Sequence, residues 1–444
     1  MKKIISRFQE KGKNMFYGWW IVAFCFVINA FGIGTFFYGF SPFFNPMIKE
    51  FGWSRTLMSG VYSLSRLEGG LEGPLAGWLI DRFGARMIML AGISLAGLGF
   101  VLLNFVHDPI SLYLIFGLTL SLGYNLGYVN GTNAAVAKWF IKKRSRAISI
   151  LMVGNGIGGA IFVPLIAWLI LYVGWRKAAI ILGVSTFLLP LPLSLLIKGT
   201  PEEMGLKPDG EGNLSPKGTS SPGKGLQPEA DKKFDIVEEE EENFTVREAV
   251  KTSAFWIYSL SMVLRACILS SIVVHQIPHL MDLGVSFQSA STVLGMMVLV
   301  SVPGRFIFGS LGDRYNKKML LFFLCALQSA GILVFIQAKS VFLLYLFVIL
   351  YGTGYGGAIP LSISLRADLF GRKNYATISG LTMTVTTIGT VTAPIVAGYL
   401  YDVTRSYTLA FYSLSFLILL SGICFLFIPK PVKKKKEGPL AMGL

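Results

Sequence analysis

Long runs of apolar residues, separated by short polar or charged stretches, recur along the whole chain. Twelve of these runs are about 20 residues long, the length at which a helix crosses a bilayer core of roughly 30 Å. We therefore predict an all-α membrane protein with twelve transmembrane helices, numbered as spans 1 to 12: 19–40, 58–80, 87–106, 110–136, 147–173, 178–197, 255–280, 290–311, 319–336, 341–364, 378–400 and 409–428.

One polar interruption, 198–245, is much longer than the others. It is rich in Pro, Gly, Ser, Lys and Glu, a composition that buries too little apolar surface to order itself. We expect a disordered cytoplasmic linker here. It divides the chain into an N-terminal six-helix bundle, 1–197, and a C-terminal six-helix bundle, 246–430, which is followed by a basic cytoplasmic tail, 431–444.

Composition and charge place the chain in a lipid bilayer. Only 14% of the 444 residues are charged, against about a quarter in soluble domains. The net charge of +16 could indicate nucleic-acid binding in a soluble protein, but here the positive charges lie mainly on one side of the predicted membrane. Without the connection between spans 6 and 7, the loops and ends on the side of the N-terminus hold 23 Lys and Arg, and the loops on the opposite side hold six. The positive-inside rule then predicts a multi-pass cell (plasma or inner) membrane protein with both termini cytoplasmic and no nucleic-acid partner. The first run lacks a cleavage site of small residues, so we expect it to be retained as a span.

Residues that carry enzyme chemistry do not cluster in the sequence. All four cysteines fall within spans, and no disulfide or zinc spacing is present. His275 and His279 lie four residues apart, but no further ligand cluster accompanies them, and gating or hydrogen bonding is the better interpretation. We expect neither an enzyme, nor a metal site, nor a cofactor.

An internal repeat is visible in GPLAGWLIDRFGARM (Gly73–Met87) and RFIFGSLGDRYNKK (Arg305–Lys318). Gly77, Asp81 and Arg82 are followed 232 positions later by Gly309, Asp313 and Arg314. Further matches at shifts of 229 or 230 are Gly123 with Gly352, Ala147 with Ala376, Phe140 with Phe370, Ser149 with Ser379, Gly159 with Gly389 and Pro164 with Pro394. Six spans therefore duplicate six in the same orientation, and we expect a substrate between the halves near the midplane.

The motif G-x-x-x-D-R-x-G-x-R (Gly77, Asp81, Arg82, Gly84, Arg86), with a partial copy at Gly309, Asp313 and Arg314, resembles that of the major facilitator superfamily. Within it, YGWW, EFGWSR, GWR and H-x-x-P-x-x-x-D-x-G, together with the arginine of span 8, resemble bacterial relatives of the monocarboxylate transporters and oxalate:formate antiporters. The resemblance implies that Asp81 meets the start of span 11 near Tyr375, and Asp313 the start of span 5 near Ser145. Carboxylates are stabilised at helix N-termini, so these contacts would close the cytoplasmic side.

Arg305 is the leading candidate ligand for an anion. It lies eight residues before Asp313, about 12 Å along a helix, which places it near the bilayer midplane. A buried guanidinium there needs water or a partner, and its fork suits a carboxylate. A structural ion pair is the alternative. The resemblance points to the same arginine as ligand, and it suggests Asn29, Asn125, Tyr128 and Tyr355 as cavity residues on spans 1, 4 and 10.

Span 2 carries three charged residues within the membrane, Arg66, Glu68 and Glu72. The two carboxylates lie on one helix face, so one could hold a proton at neutral pH; equally, both could pair with Arg66 or Arg265. Arg265 is also a candidate for substrate binding. The chain lacks the span 1 lysine and span 8 aspartate of animal monocarboxylate transporters and the span 11 lysine of the oxalate antiporter, so a monoanion fits better than a dianion.

These observations predict a secondary active transporter, functional as a monomer, that moves small organic anions, monocarboxylates first, by alternating access with proton symport or anion exchange. A proton-coupled exporter of amphipathic or drug-like compounds is the alternative.

Overall fold

The computed structural model describes residues 16–140, 143–210, 244–371 and 374–431, and its regular elements are helices. The twelve long helices follow one another in chain order: α1 Tyr17–Phe51, α2 Arg55–Leu71 continued by Gly73–Phe83, α3 Ala85–Phe105, α4 Pro109–Trp139, α5 Arg144–Val173, α6 Trp175–Leu196, α7 Ser253–Asp282, α8 Phe287–Leu311, α9 Lys317–Ile336, α10 Val341–Phe370, α11 Tyr375–Thr404 and α12 Thr408–Leu426.

Eleven of these helices, counted over the described ranges, are long and apolar enough to cross a membrane. The exception is α2, which carries Arg66, Glu68 and Glu72 and is interrupted at Glu72, directly before Gly73 and Pro74. Proline is well placed in a first helical turn because its missing N–H needs no acceptor there. The all-α, twelve-helix membrane fold is therefore confirmed, and α2 differs from the other long helices in carrying three charged residues next to its interruption.

The helix boundaries follow from polar residues between the apolar runs. Ser54, Thr252, Ser286 and Ser340 each accept a hydrogen bond from a main-chain N–H in the first turn of α2, α7, α8 and α10, which satisfies an otherwise unpaired donor. A single residue, Gly84, connects α2 to α3 with a φ of +83°. A Cβ atom there would meet nothing within 4 Å, so the glycine of the motif is required by backbone conformation.

Two helix pairs dominate the contact between the bundle α1–α6 and the bundle α7–α12. Along one edge α2 packs against α11, and along the other α5 packs against α8. A shift by six helices converts the first pair into the second, as a parallel duplication requires. We name the face at which α1 begins and α12 ends the terminal face, and the face at which α2 and α8 begin the distal face.

The beginning of the long polar segment is ordered, unlike our expectation for 198–245. Pro201–Met204 and Pro208–Gly210 form short 3₁₀ helices. Trp139 Nε1 on α4 donates to the Lys198 carbonyl oxygen at 3.1 Å, and Asp209 Oδ1 accepts from the Lys143 main-chain N–H at 3.0 Å. Residues 198–210 therefore pack onto the first bundle. The predicted disorder of 211–243 lies outside the described residues, as does the basic tail from 432 onward.

Candidate functional site

Arg305 lies on α8, partly buried, and its guanidinium reaches across to the other bundle. Nη1 donates to the main-chain carbonyl oxygen of Met152 on α5 at 2.9 Å, and Nη2 donates to Ser301 Oγ at 3.4 Å. The buried Nε has no partner. Both acceptors are neutral, and a carboxylate is a stronger acceptor for a guanidinium than either. The arginine is therefore able to take an anionic ligand.

A cavity of about 750 Å³ lies beside Arg305, in the terminal half of the molecule. Its walls are the first turns of α5, residues 148–153, and the last turns of α10, residues 359–367, with Phe306 on α8 and Tyr375 at the start of α11. Among the described residues that line it, eight of twelve are apolar and Arg305 is the only charged one. The cavity lies between the two bundles, and the hydrogen bond from Arg305 to Met152 crosses from one bundle to the other beside it.

Two tyrosines meet above this cavity where the bundles touch. Tyr38 on α1 and Tyr355 on α10 are buried, and their hydroxyl groups lie 3.2 Å apart. Tyr355, a predicted substrate contact, thus bridges the bundles on the distal side of Arg305. Such a hydrogen bond must break when the bundles separate here.

The predicted cavity residues Asn29 and Tyr128 lie inside the first bundle. Asn29 Nδ2 donates to Asn155 Oδ1 on α5 at 2.8 Å, which pairs a buried amide of α1 with a partly buried amide of α5. Tyr128 is buried against Phe31, with ring centroids 6.4 Å apart, and its ring occupies the space beside Gly32. Neither residue lines the cavity of Arg305.

Glu68 and Glu72 face α4 from the broken helix α2. Glu68 Oε1 lies so close to Gly117 that a Cβ atom there would be 2.7 Å from it, and Glu72 interacts with the side chain of Asn125. Each carboxylate keeps one buried oxygen, Oε2, without a partner. Two stretches of α4, Ile115–Ser121 and Asn125–Asn130, are π-helical, a distortion that is frequent at functional sites.

Neither predicted arginine pairs with these carboxylates in the structure. The ion pairs between described residues do not include Glu68 or Glu72. Arg66 instead stacks on aromatic rings, with its Cζ 4.5 Å from the Phe37 centroid and 4.7 Å from that of Tyr62, a favourable cation–π arrangement. Arg265 on α7 is partly buried with an unpartnered Nε.

The repeated motif lies at the terminal ends of α2 and α8. Gly77 is exposed, with nothing within 4 Å of an added Cβ, whereas Gly309 faces Pro360 at 3.7 Å. Asp313 and Arg314 are exposed. Arg82 lies over the Trp78 ring at 5.3 Å, and Arg86 has a buried, unpartnered Nε. The side chains of Asp81 and Ser145 lie outside the described residues, so their predicted contacts stay predictions.

The distal face holds an ionic cluster that joins the bundles, which we name the distal latch: Arg55, Asp282 and Asp402. Arg55 donates from Nη1 and Nη2 to the two carboxylate oxygens of Asp282 on α7, at 2.8 and 2.9 Å. Asp402 on α11 accepts from the main-chain N–H groups of Arg55 and Thr56 at 3.1 and 2.9 Å and from Thr56 Oγ1 at 2.5 Å. The latch thus ties the first turn of α2 to α7 and α11.

His275 packs directly beneath the distal latch. It is fully buried; Nδ1 lies 2.9 Å from the Tyr407 hydroxyl, and Nε2 lies 2.9 Å from the Pro394 carbonyl oxygen and 3.3 Å from Ser59 Oγ. An added Cβ at Gly398 on α11 would approach the Arg55 carbonyl oxygen to 2.8 Å. Backbone contact this close seals α2 against α11 at the distal face.

A second ion pair on the distal face stays within one bundle. Glu50, at the end of α1, accepts from Trp175 Nε1 at 2.5 Å and from Arg176 Nη2 and Nε at 2.8 and 3.1 Å. These contacts hold α1 against α6. They do not cross the bundle interface, and therefore do not depend on how the bundles are arranged.

The latch residues were not among our predicted site residues, although the sequence carries a signal for two of them, Arg55 and Asp282. Arg55 closes the EFGWSR string that Glu50 opens, GWR supplies Trp175 and Arg176, and H-x-x-P-x-x-x-D contains His275 and Asp282. These strings mark residues at the distal ends of different helices. Which of them pair becomes evident only in three dimensions.

Hydrogen bonds join the two six-helix bundles at the distal face, and a cavity lies between them toward the terminal face. This is the architecture of a membrane transporter. The chain belongs to the Major Facilitator Superfamily, whose family model matches residues 22–335 and 277–441.

Known relatives and solved structures agree with this assignment. Monocarboxylate transporter 12 of Xenopus laevis is 27% identical over 447 residues, covering 96% of this chain and 91% of the relative. Human monocarboxylate transporter 2 is 24% identical over 425 residues, covering 92% and 85%. The crystal structure of a bacterial homologue of the human lysosomal transporter Spinster, inward-facing and occupied, matches with a TM-score of 0.70 at 16% identity, covering 94% of this chain and 97% of that one. The unoccupied form gives a TM-score of 0.67 at 17% identity, covering 93% and 95%.

Proposed function

We propose that this transporter moves small organic anions, monocarboxylates first, by alternating access, with Arg305 as the main anion ligand. The observation that carries the proposal is the position of Arg305. It is the only charged residue among those described around the cavity between the bundles, and its guanidinium is held by neutral acceptors alone. The names of the relatives, monocarboxylate transporters 12 and 2, support the same substrate class.

The terminal face is cytoplasmic in this proposal, and the protein is a monomer in the cell membrane. The structure then corresponds to a state that is closed outside by the distal latch and open inside at the cavity. In the opposite state, Asp81 would meet the start of α11 and Asp313 the start of α5. Transport by Asp81→Asn at the wild-type rate would contradict this role for the motif.

Proton symport and anion exchange are both compatible with the site. Glu68 and Glu72 are the proposed proton carriers, since each has a buried oxygen without a partner and neither has an arginine partner among the described ion pairs. An exporter of organic cations or cationic drugs is disfavoured because the charged residue at the cavity is itself cationic.

Uptake and binding by the purified full-length protein test the proposal. Ligand-induced thermal shifts are measured with lactate, pyruvate, formate, oxalate and hydrophobic cations, and uptake of the acids that respond is measured in proteoliposomes. We expect monocarboxylates to bind and Arg305→Gln to abolish the response. Arg247→Gln, at an exposed arginine outside both the cavity and the repeated motif, is the matched control. An unchanged carboxylate response in Arg305→Gln would refute the ligand assignment.

Coupling is separated from transport by comparing two modes in the same liposomes. If Glu68 or Glu72 carries the proton, the Gln variant loses accumulation driven by a pH gradient and keeps exchange of labelled for unlabelled substrate. Loss of both modes would indicate a structural role. Retention of both would exclude that residue as the proton carrier.

A further inference from the structure

We propose that the preferred substrate is an amphipathic monocarboxylate, one carboxylate attached to an apolar body of at least a phenyl ring's size, and not a two- or three-carbon acid. This inference rests on the proposed function and specifies its substrate. Three features of the cavity beside Arg305 carry it: one cationic group, apolar walls on two opposite sides, and a volume beyond what a small acid fills.

The charge of the cavity limits the ligand to one carboxylate. Among its described lining residues, Arg305 is the only cation and none is acidic. Its fork can hold one carboxylate through two parallel hydrogen bonds. A second carboxylate on the ligand would be desolvated in this space without a partner, which is strongly unfavourable. A cationic ligand would meet Arg305 with like charge.

The walls favour an apolar body next to that carboxylate. Ile148 and Met152 on α5 face Ile359, Ile363 and Ala367 on α10, and Met152 also supplies the carbonyl oxygen that now holds Arg305. A carboxylate bound at Arg305 therefore places the rest of the ligand between these two walls. A two- or three-carbon acid would leave most of this apolar surface in water, whereas a ring would bury it, and burial of apolar surface is the main source of ligand affinity.

The volume of the cavity agrees with a ligand larger than a two- or three-carbon acid. Pockets of about 300–1,000 Å³ take drug-sized ligands, and this one has about 750 Å³. The hydroxyl groups of Ser149, Ser364 and Tyr375 are the polar groups along its wall. The Tyr375 hydroxyl already accepts from Arg366 Nη2 at 2.8 Å and donates to the Ile363 carbonyl oxygen at 3.3 Å. The hydroxyl groups of Ser149 and Ser364 are therefore the ones that can donate to or accept from a keto or hydroxyl group on the ligand, and 2-oxo and 2-hydroxy acids with a large side chain fit the lining.

Matched acid pairs test the inference. Dissociation constants are measured with the full-length protein in nanodiscs, after subtraction of empty nanodiscs, for pyruvate against phenylpyruvate and for lactate against phenyllactate. We expect the phenyl acid of each pair to bind at least tenfold more tightly. Phenylsuccinate, with two carboxylates, and phenylacetamide, with none, are expected to bind at least tenfold more weakly than phenylpyruvate.

Variants show whether the preference arises in the cavity. Ala367→Phe fills the space between the walls and is expected to reduce the phenyl preference at least fivefold. Ile349→Phe, at an exposed position of the same helix outside the cavity, leaves the preference unchanged. If Ala367→Phe does not fold, Ile363→Ser replaces it, since it removes apolar wall without adding bulk.

The outcomes separate this inference from the proposed function. Equal or tighter binding of the small acids, with binding lost in Arg305→Gln, overturns the inference and leaves the proposed function intact. A phenyl preference that Ala367→Phe and Ile363→Ser do not change also overturns it. Failure of every acid to bind overturns both.

Discussion

Removing the charge of Asp402 should open the distal face. In the structure this carboxylate accepts three hydrogen bonds at the first turn of α2, two of them from main-chain N–H groups. A negative charge at a helix N-terminus contributes about 0.3–1 kcal/mol, and up to about 2 kcal/mol where it is partly buried, as Asp402 is. Because α2 and α11 belong to different bundles, the cost falls only on the state in which the distal face is closed. Asp402→Asn should therefore shift the closed-to-open ratio by roughly 2- to 30-fold, at 1.4 kcal/mol per factor of ten.

Asp282→Asn should act in the same direction with a smaller effect. Its ion pair with Arg55 is bidentate, but the Asp282 side chain is 34% exposed, and exposed pairs contribute about 0.2–1 kcal/mol. The expected shift is roughly 1.4- to 5-fold. Since both carboxylates bind the first turn of α2, we expect the double variant to depart from the sum of the two single effects.

Distances between spin labels at two exposed distal positions report the shift. Lys49 lies on the first bundle and Lys339 on the second, so a longer label-to-label distance marks the open distal face. Glu50→Gln is the matched control, because it weakens an ion pair on the same face that stays within one bundle. Wild-type distance distributions in both latch variants, or an equal shift in Glu50→Gln, would refute the role of the latch.

Three further predictions follow from the same face. Gly398→Ala should favour the open distal face, because its Cβ would lie 2.8 Å from the Arg55 carbonyl oxygen. Gly380→Ala is the control and should not shift the equilibrium, because nothing lies within 4 Å of an added Cβ there. The spin-label distances compare the two variants. Raising salt from 0.1 to about 1 M, which shortens the screening length to about 3 Å, should increase the open population in wild type and less so in Asp282→Asn. His275→Ala should lower the free energy of unfolding by about 1–3 kcal/mol, because it removes the hydrogen-bond partner that His275 provides to the buried Tyr407 hydroxyl. A melting temperature within error of wild type would contradict this.

Much of the fold was predictable because it depends on one-dimensional patterns. Apolar runs predict twelve spans and the structure has a helix at each of them, while the repeat of Gly77–Arg82 at Gly309–Arg314 indicates two copies of a six-helix unit. Two features depart from pattern. The interruption of α2 at Glu72 falls inside the run 58–80, which we predicted as one uninterrupted span. Residues 198–210 are ordered because Trp139 and Lys143, which lie far from them in the sequence, supply hydrogen bonds.

The candidate site was less predictable, because a polar residue in a membrane helix can face a cavity or another helix. Arg305 was singled out by depth and charge, and it lies at the cavity. Asn29 and Asn155 were each visible as polar residues, but only the packing of α1 on α5 pairs them with each other. Arg66 contacts aromatic rings and not a carboxylate, and no spacing along the chain indicates which of these partners it has.

The two edges of the bundle interface are held by different forces. Along α2 and α11 the ionic distal latch is added to the close approach of Gly398 to the Arg55 carbonyl oxygen. Along α5 and α8 the contact depends on small residues: Gly156 makes room for Val302, and a Cβ at Gly295 would approach the Ala160 carbonyl oxygen to 3.1 Å. Charge screening acts on the first edge and tight van der Waals packing resists separation at the second. We therefore expect the distal face to part first at the ionic edge and to pivot about the edge formed by α5 and α8, so that a substrate reaching the distal face enters from one side.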